Sequence, residues 1–222
     1  MNPTRRQISD ATGALGWRLV LGAIHAQVRV RTLAEATEVA TLSAAACADT
    51  PGHLQLDLRA DRALLRLQSE VDGSVTEQDL ELARRLTAVL LAANHQLQPG
   101  GAALHAFEIA IDALDIAAVR PFWKAVTGYR DARSTTDLNQ GLLDPAGRGP
   151  AIWFQQMDSP RHGTRNRIHL DVDVPHDVAA ARIAAALAAG GVMLSDHAAP
   201  AFWVLADAEG NEACVCTWQG RD

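Results

Sequence analysis

Asn94-His95-Gln96-Leu97-Gln98-Pro99-Gly100-Gly101 decides how the chain is to be divided. Proline followed by two glycines is the strongest local punctuation in the sequence. It separates a long helical pattern before it from an alternating, strand-like pattern after it. The reading outward from this point is two small domains in series, 1–94 and 102–222, each of mixed α+β character. A chain of 222 residues allows one large domain or two small ones.

On the N-terminal side, the pattern reads α-β-β-α-β-β-α. A short helix is predicted over 3–13, then strands at Trp17–Leu21 and Ile24–Val30 joined by a tight turn at Gly22-Ala23. In the second strand Ile24, Ala26, Val28 and Val30 share one face, and His25, Gln27, Arg29 and Arg31 the other. An alanine-rich helix over 32–49, strands at 53–60 and 62–69, and a helix from Thr76 follow. Thr76-Glu77-Gln78-Asp79 has the form of a capping box. Trp17 is assigned to the core.

On the C-terminal side, strand His105–Ile111 and helix Ile116–Thr127, closed by Gly128, precede a strand at Ala151–Gln156. Strand Arg167–Val174, helix His176–Ala189 and Gly190-Gly191 repeat that opening, and strands Phe202–Asp207 and Glu212–Thr217 close it. The plan is a β-α-β-β unit used twice.

Composition narrows the function classes. A hydrophobic fraction of 48% is that of a folded globular chain. No apolar run approaches the roughly 18 residues of a membrane span, and no signal peptide is read at the start, so a cytoplasmic protein is expected. Three cysteines at irregular spacing do not make a disulfide framework. A net charge of −6 with dispersed arginines argues against a nucleic-acid partner. The partner expected is a small-molecule ligand, with homo-oligomerisation open.

Gly16-Trp17-Arg18-Leu19, Gly52-His53 and Val75-Thr76-Glu77-Gln78-Asp79-Leu80-Glu81-Leu82-Ala83 resemble the pterin-4a-carbinolamine dehydratase (4a-hydroxytetrahydrobiopterin dehydratase) family over about residues 5–93. The resemblance implies general acid/base dehydration of a hydroxylated pterin, a lyase reaction suited to imidazoles. It also implies two adjacent histidines and a third on the next strand. Here the first place reads Gly52-His53-Leu54 and the other reads Ser69-Glu70-Val71, so only His53 matches and Glu70 stands at the third place. Three readings stay open for His53: a relic, an acid/base partner of Glu70, or a histidine without a role. An emptied site also leaves open a use of this domain as an oligomerisation module.

His105–Asp112, Val119-Arg120-Pro121-Phe122-Trp123, Asn166–Asp173 and Asp207–Cys216 together resemble the glyoxalase-like branch of the vicinal-oxygen-chelate superfamily over about 102–218. The resemblance implies a cupped sheet with metal ligands drawn from several strands. His105 and His169 open the two repeats at matching places, and Glu212 is the carboxylate on the last strand; these three are the expected ligands of a divalent metal. A metal-free ligand pocket is the alternative. The pocket walls are expected from Trp153, Gln155, Asp171, Trp203 and Cys214, with Phe202 beside them. Lyase, isomerase and dioxygenase-type chemistry all remain open.

Overall fold

The computed structural model describes residues 3–99, 106, 108–132, 141–159, 169–174, 176–217 and 219–220. The chain forms two compact units, the first running to Ala106 and the second following it. Both are mixed α+β.

In the first unit, α1 (Arg5–Thr12) starts at Thr4, which exchanges hydrogen bonds with Gln7 in a capping box. Strands β1 (Arg18–Val20) and β2 (Ala23–Arg29) are joined at Leu21 and Gly22, both with positive φ. That is the backbone of a tight hairpin turn whose twist suits antiparallel strands, so the turn sits one residue earlier than the sequence suggested. Then come α2 (Leu33–Ala46), β3 (Leu54–Leu58), β4 (Arg62–Leu67) and α3 (Glu77–Ala92). The sheet order is β1-β2-β4-β3, antiparallel throughout.

A further strand, β5 (Leu97–Gln98), pairs with β2 through Gln27 and Val28. The Pro-Gly-Gly punctuation places these residues between the two domains, yet they form a strand of the first. Leu97 is buried, and a side chain on Gly16 would press on its carbonyl at 3.1 Å. The apolar residue amid Asn, Gln and His therefore closes the sheet edge beside β1. The core gathers Trp17, Ile24, Leu65, Leu67, Leu82, Leu86 and Leu90. Trp17 is fully buried and its indole N–H donates to Thr87 Oγ1 at 3.1 Å.

The second unit holds two copies of one plan. The first copy is β6 (Glu108–Ala113), α4 (Ile116–Thr127), β7 (Arg130–Asp131), β8 (Leu142–Leu143) and β9 (Ala151–Gln156). The second is β10 (Leu170–Asp173), α5 (Ala179–Ala188), β11 (Val192–Ser195), β12 (Phe202–Ala206) and β13 (Glu212–Cys216). The sheet orders correspond: β6-β9-β8-β7 and β10-β13-β12-β11, with the first strand parallel to the last in each. Each repeat is thus β-α-β-β-β, one strand longer than the sequence pattern suggested.

The two copies share one core, to which Val119, Phe122, Trp123, Ile152, Ala186, Leu205 and Val215 contribute. Gly191 is required there, because a Cβ would lie 2.4 Å from the Phe122 ring. Polar bonds also tie the copies together. Asp207 is buried, and its Oδ2 accepts from Trp123 Nε1 at 2.9 Å and from Asn211 Nδ2 at 2.8 Å. Its Oδ1 accepts from the backbone N–H groups of Glu209 and Asn211. Glu209 in turn accepts from the N–H groups of Leu114 and Asp115, just before α4. The Asp207-Ala208-Glu209-Gly210-Asn211 stretch therefore fastens the second repeat to the first.

Candidate functional site

In the second unit, pairing fixes which side chains share a face, because side chains alternate along a strand. The parallel ladder of β10 and β13 sets Asp171 opposite Cys214 and Asp173 opposite Cys216. Leu170, Val172, Ala213 and Val215 occupy the other face, where Leu170, Ala213 and Val215 meet the core. His169 immediately precedes β10 and reaches back to the open face: its Nε2 lies 3.4 Å from Asp171 Oδ1. One donor atom each from His169, Asp171 and Cys214 lies within 4.8 Å of the others.

Burial differs across this cluster. The His169 and Asp171 side chains are 47% and 57% exposed, while Cys214 is buried. Burial, followed by a hydrogen bond to Asp171, pushes the Cys214 thiol up to about 12. At neutral pH it is a protonated thiol that donates to the carboxylate, not a free nucleophile.

Of the three metal ligands expected from sequence, His169 lies in this cluster. His105 lies outside the described residues. Glu212 shares the face of Cys214 but begins β13, one side-chain repeat away, and its carboxylate is not among the converging donors. Asp171 and Cys214, assigned from sequence to the pocket wall, are the residues that converge with His169. The parallel register brings them together, and register is not legible from strand patterns alone.

Of the remaining wall residues, Trp153 and Gln155 share the open face of the β6–β9 ladder, paired with Ala110 and Asp112. Trp203 does not join the cluster. It pairs with Val215 and packs against the core, on the face opposite Cys214. Phe202 and Val204 pair with Cys216 and Cys214 and supply the apolar surface beside the cluster. An adjacent residue taken for the wrong one inverts the face in a strand.

In the first unit, His53 and Glu70 are not partners. His53 Nδ1 lies 2.8 Å from Asp79 Oδ1, with Asp79 fully buried at the start of α3. Asp79 Oδ2 accepts from the N–H and hydroxyl of Thr76, which completes the helix cap. Asp79 was legible as a capping residue; its second role, orienting an imidazole 26 residues earlier, was not. Glu70 is exposed and lies beside Gly52, whose φ is +79°. The position of the missing adjacent histidine is therefore in a left-handed conformation that a side chain adopts at a cost.

Residues 108–216 match the family model described as a glyoxalase-like domain, so the second unit is glyoxalase-like. Among solved structures, the chain is similar to a transcriptional coactivator/pterin dehydratase from Brucella melitensis. The identity is 23%, covering 40% of this chain and 98% of that one, with TM-score 0.37. It is also similar to a glyoxalase/bleomycin resistance protein/dioxygenase family enzyme from Burkholderia phytofirmans PsJN (20% identity, 50% and 95% covered, TM-score 0.39). A glyoxalase/dioxygenase from Nostoc punctiforme is a third (13% identity, 53% and 93% covered, TM-score 0.40). No curated protein matches the chain. Among the described residues, no helix is long and apolar enough to cross a membrane.

Proposed function

We propose that the second unit binds a small organic ligand at a divalent metal held by His169, Asp171 and Cys214. The convergence of these three donors supports the reading. Two ligand bonds of about 2.0–2.3 Å at a tetrahedral angle set donors about 3.3–3.8 Å apart, so donors that lie within 4.8 Å of one another reach it by closing up to about 1.5 Å. An imidazole, a carboxylate and a thiolate form a set suited to a zinc-like ion, with coordination positions left for ligand oxygens.

When bound, such an ion supplies Lewis-acid polarisation of a ligand carbonyl or hydroxyl oxygen. The protein's own residues do the rest. In the metal-free protein the Cys214 thiol donates to the Asp171 carboxylate; on metal binding that proton is released to solvent, and Asp171 and Cys214 both act as anionic donors beside His169. Phe202 and Val204 offer an apolar surface on which the body of a ligand rests. The chemistry proposed is of the lyase or isomerase type, at a carbon next to a polarised oxygen.

Elemental analysis of the purified full chain tests this reading. About one equivalent of a divalent transition metal is expected, lost in His169→Ala. A metal-free protein that still binds its ligand would support the pocket without metal instead.

For the first unit, the His53–Asp79 pair favours a second reading: a dehydratase frame that keeps one oriented imidazole, with little remaining activity. A carboxylate behind an imidazole holds the ring in place for proton transfer, but the other two expected imidazoles are absent.

A further inference from the structure

We propose that the open face of the first unit's sheet binds the carboxylate or phosphate group of a small anionic ligand at Arg66 and His25. The pairing sets Arg18, His25, Arg66 and Gln55 in one row across β1, β2, β4 and β3. The opposite face, with Ile24, Leu65 and Leu67, is the core. The row is thus the polar face, away from that core.

Arg66 is a fixed cation. Its Nη1 donates to Gln55 Oε1 and its Nη2 to Gln68 Oε1. Gln68 is itself held, its amide donating to the carbonyls of Gly22 and Gly73, each at 2.9 Å. Two of the five guanidinium N–H groups are used in this way, and the others remain for an acceptor. Neutral glutamines orient the guanidinium without cancelling its charge.

No carboxylate among the described residues lies within ion-pair distance of Arg66. The acid that bears on it is Asp79. Both Asp79 oxygens are committed, one to His53 and one to Thr76. Asp57, on the same face, pairs with Arg59 at 2.8 Å. Burial works against the charge on both members of the pair, and the Arg66 charge further disfavours protonation of His25. A half-buried cation without a counter-ion is costly. An oxyanion would relieve that cost, and a preset guanidinium loses little freedom in binding one. This sits in a chain whose net charge is −6.

The test is an NMR titration of the full chain at constant ionic strength, with inorganic phosphate in one arm and acetate in the other. The His25 ring and Arg66 Nε–H signals are followed. Saturable shifts are expected in at least one arm, and the tighter arm names the group. Arg66→Gln should weaken binding at least tenfold, while Arg59→Gln, which changes an arginine already paired with Asp57, should not. Shifts that never saturate in either arm would overturn the proposal, as would equal affinity in a folded Arg66→Gln. Should Arg66→Gln fail to fold, Arg66→Lys keeps the charge and removes the fork. A severalfold loss is then expected, and unchanged affinity would overturn the proposal.

Discussion

Asp171 faces Cys214 across a parallel ladder, and its carboxylate accepts a hydrogen bond from the buried Cys214 thiol. This relationship assembles the candidate centre. His169 joins it from the residue just before β10, so one strand start and one strand middle supply all three donors.

The bond from Trp123 to Asp207 ties the two repeats together, and its loss should be felt as instability. Asp207→Ala leaves an indole N–H, two backbone N–H groups and the Asn211 amide without their acceptor. Unsatisfied buried donors cost about 1–3 kcal/mol each, so a loss of at least ~3 kcal/mol is expected. Trp123→Phe keeps most of the packing and should cost less, on the order of 1–2 kcal/mol. Urea unfolding followed by a probe in the second unit measures both. A variant within ~0.5 kcal/mol of the parent, the range of ordinary surface changes, would remove Asp207 from this role.

Much of the fold was legible because its periodicities are strong. The alternation of Ile24–Val30 and the run from Thr76 to Leu90 each point to one kind of element, and both formed as read. The site was less legible because it depends on relations between strands. Asp171 and Cys214 lie 43 positions apart, and nothing local in either sequence sets their register. Trp203 and Phe202 show the same limit: both suit a wall, and only pairing with Val215 or Cys216 decides which face each takes. Asp79 was recognised for its local bond to Thr76, and the distant bond to His53 left no sequence signal.

His25 should make stability depend on pH. Burial first, then the neighbouring Arg66, lowers its pKa from 6.5 to about 4. A base with a depressed folded pKa binds protons more readily when unfolded. Its contribution is therefore complete above about pH 6.5 and is lost as the pH falls toward 4. Allowing for partial solvent screening, a loss of roughly 1–2 kcal/mol is expected over that window. His25→Gln should flatten this part of the profile. An NMR titration of the His25 ring with a midpoint near 6.5 would contradict the burial argument.

Dehydration of a pterin carbinolamine should be slow. A placed acid or base contributes roughly 10²–10⁴-fold in rate, and His53 is the sole match among three expected imidazoles. Turnover about 100-fold or more below that of a family member with all three is expected. Gly52→His should not restore it, since the φ of +79° at that position disfavours a side chain. A direct assay giving parity with such a member would refute this reading.

We propose that the two units also fold independently. Pro99-Gly100-Gly101 follows the last strand of the first unit, Leu97–Gln98. Limited proteolysis should cut first between Gln98 and Ala106, and leave two fragments that each retain a cooperative thermal transition. First cuts inside α3 or β6, or fragments that fail to refold, would count against independence.

We propose Cys214 as a metal ligand together with His169 and Asp171. Titration of the metal-stripped full chain with Co²⁺, followed by electronic absorption, tests it most directly. The expected result is a thiolate-to-cobalt charge-transfer band that saturates near one equivalent. It should disappear in Cys214→Ser while the far-ultraviolet circular dichroism stays unchanged. Absence of the band in the parent chain, or its persistence in a folded Cys214→Ser, would contradict the claim.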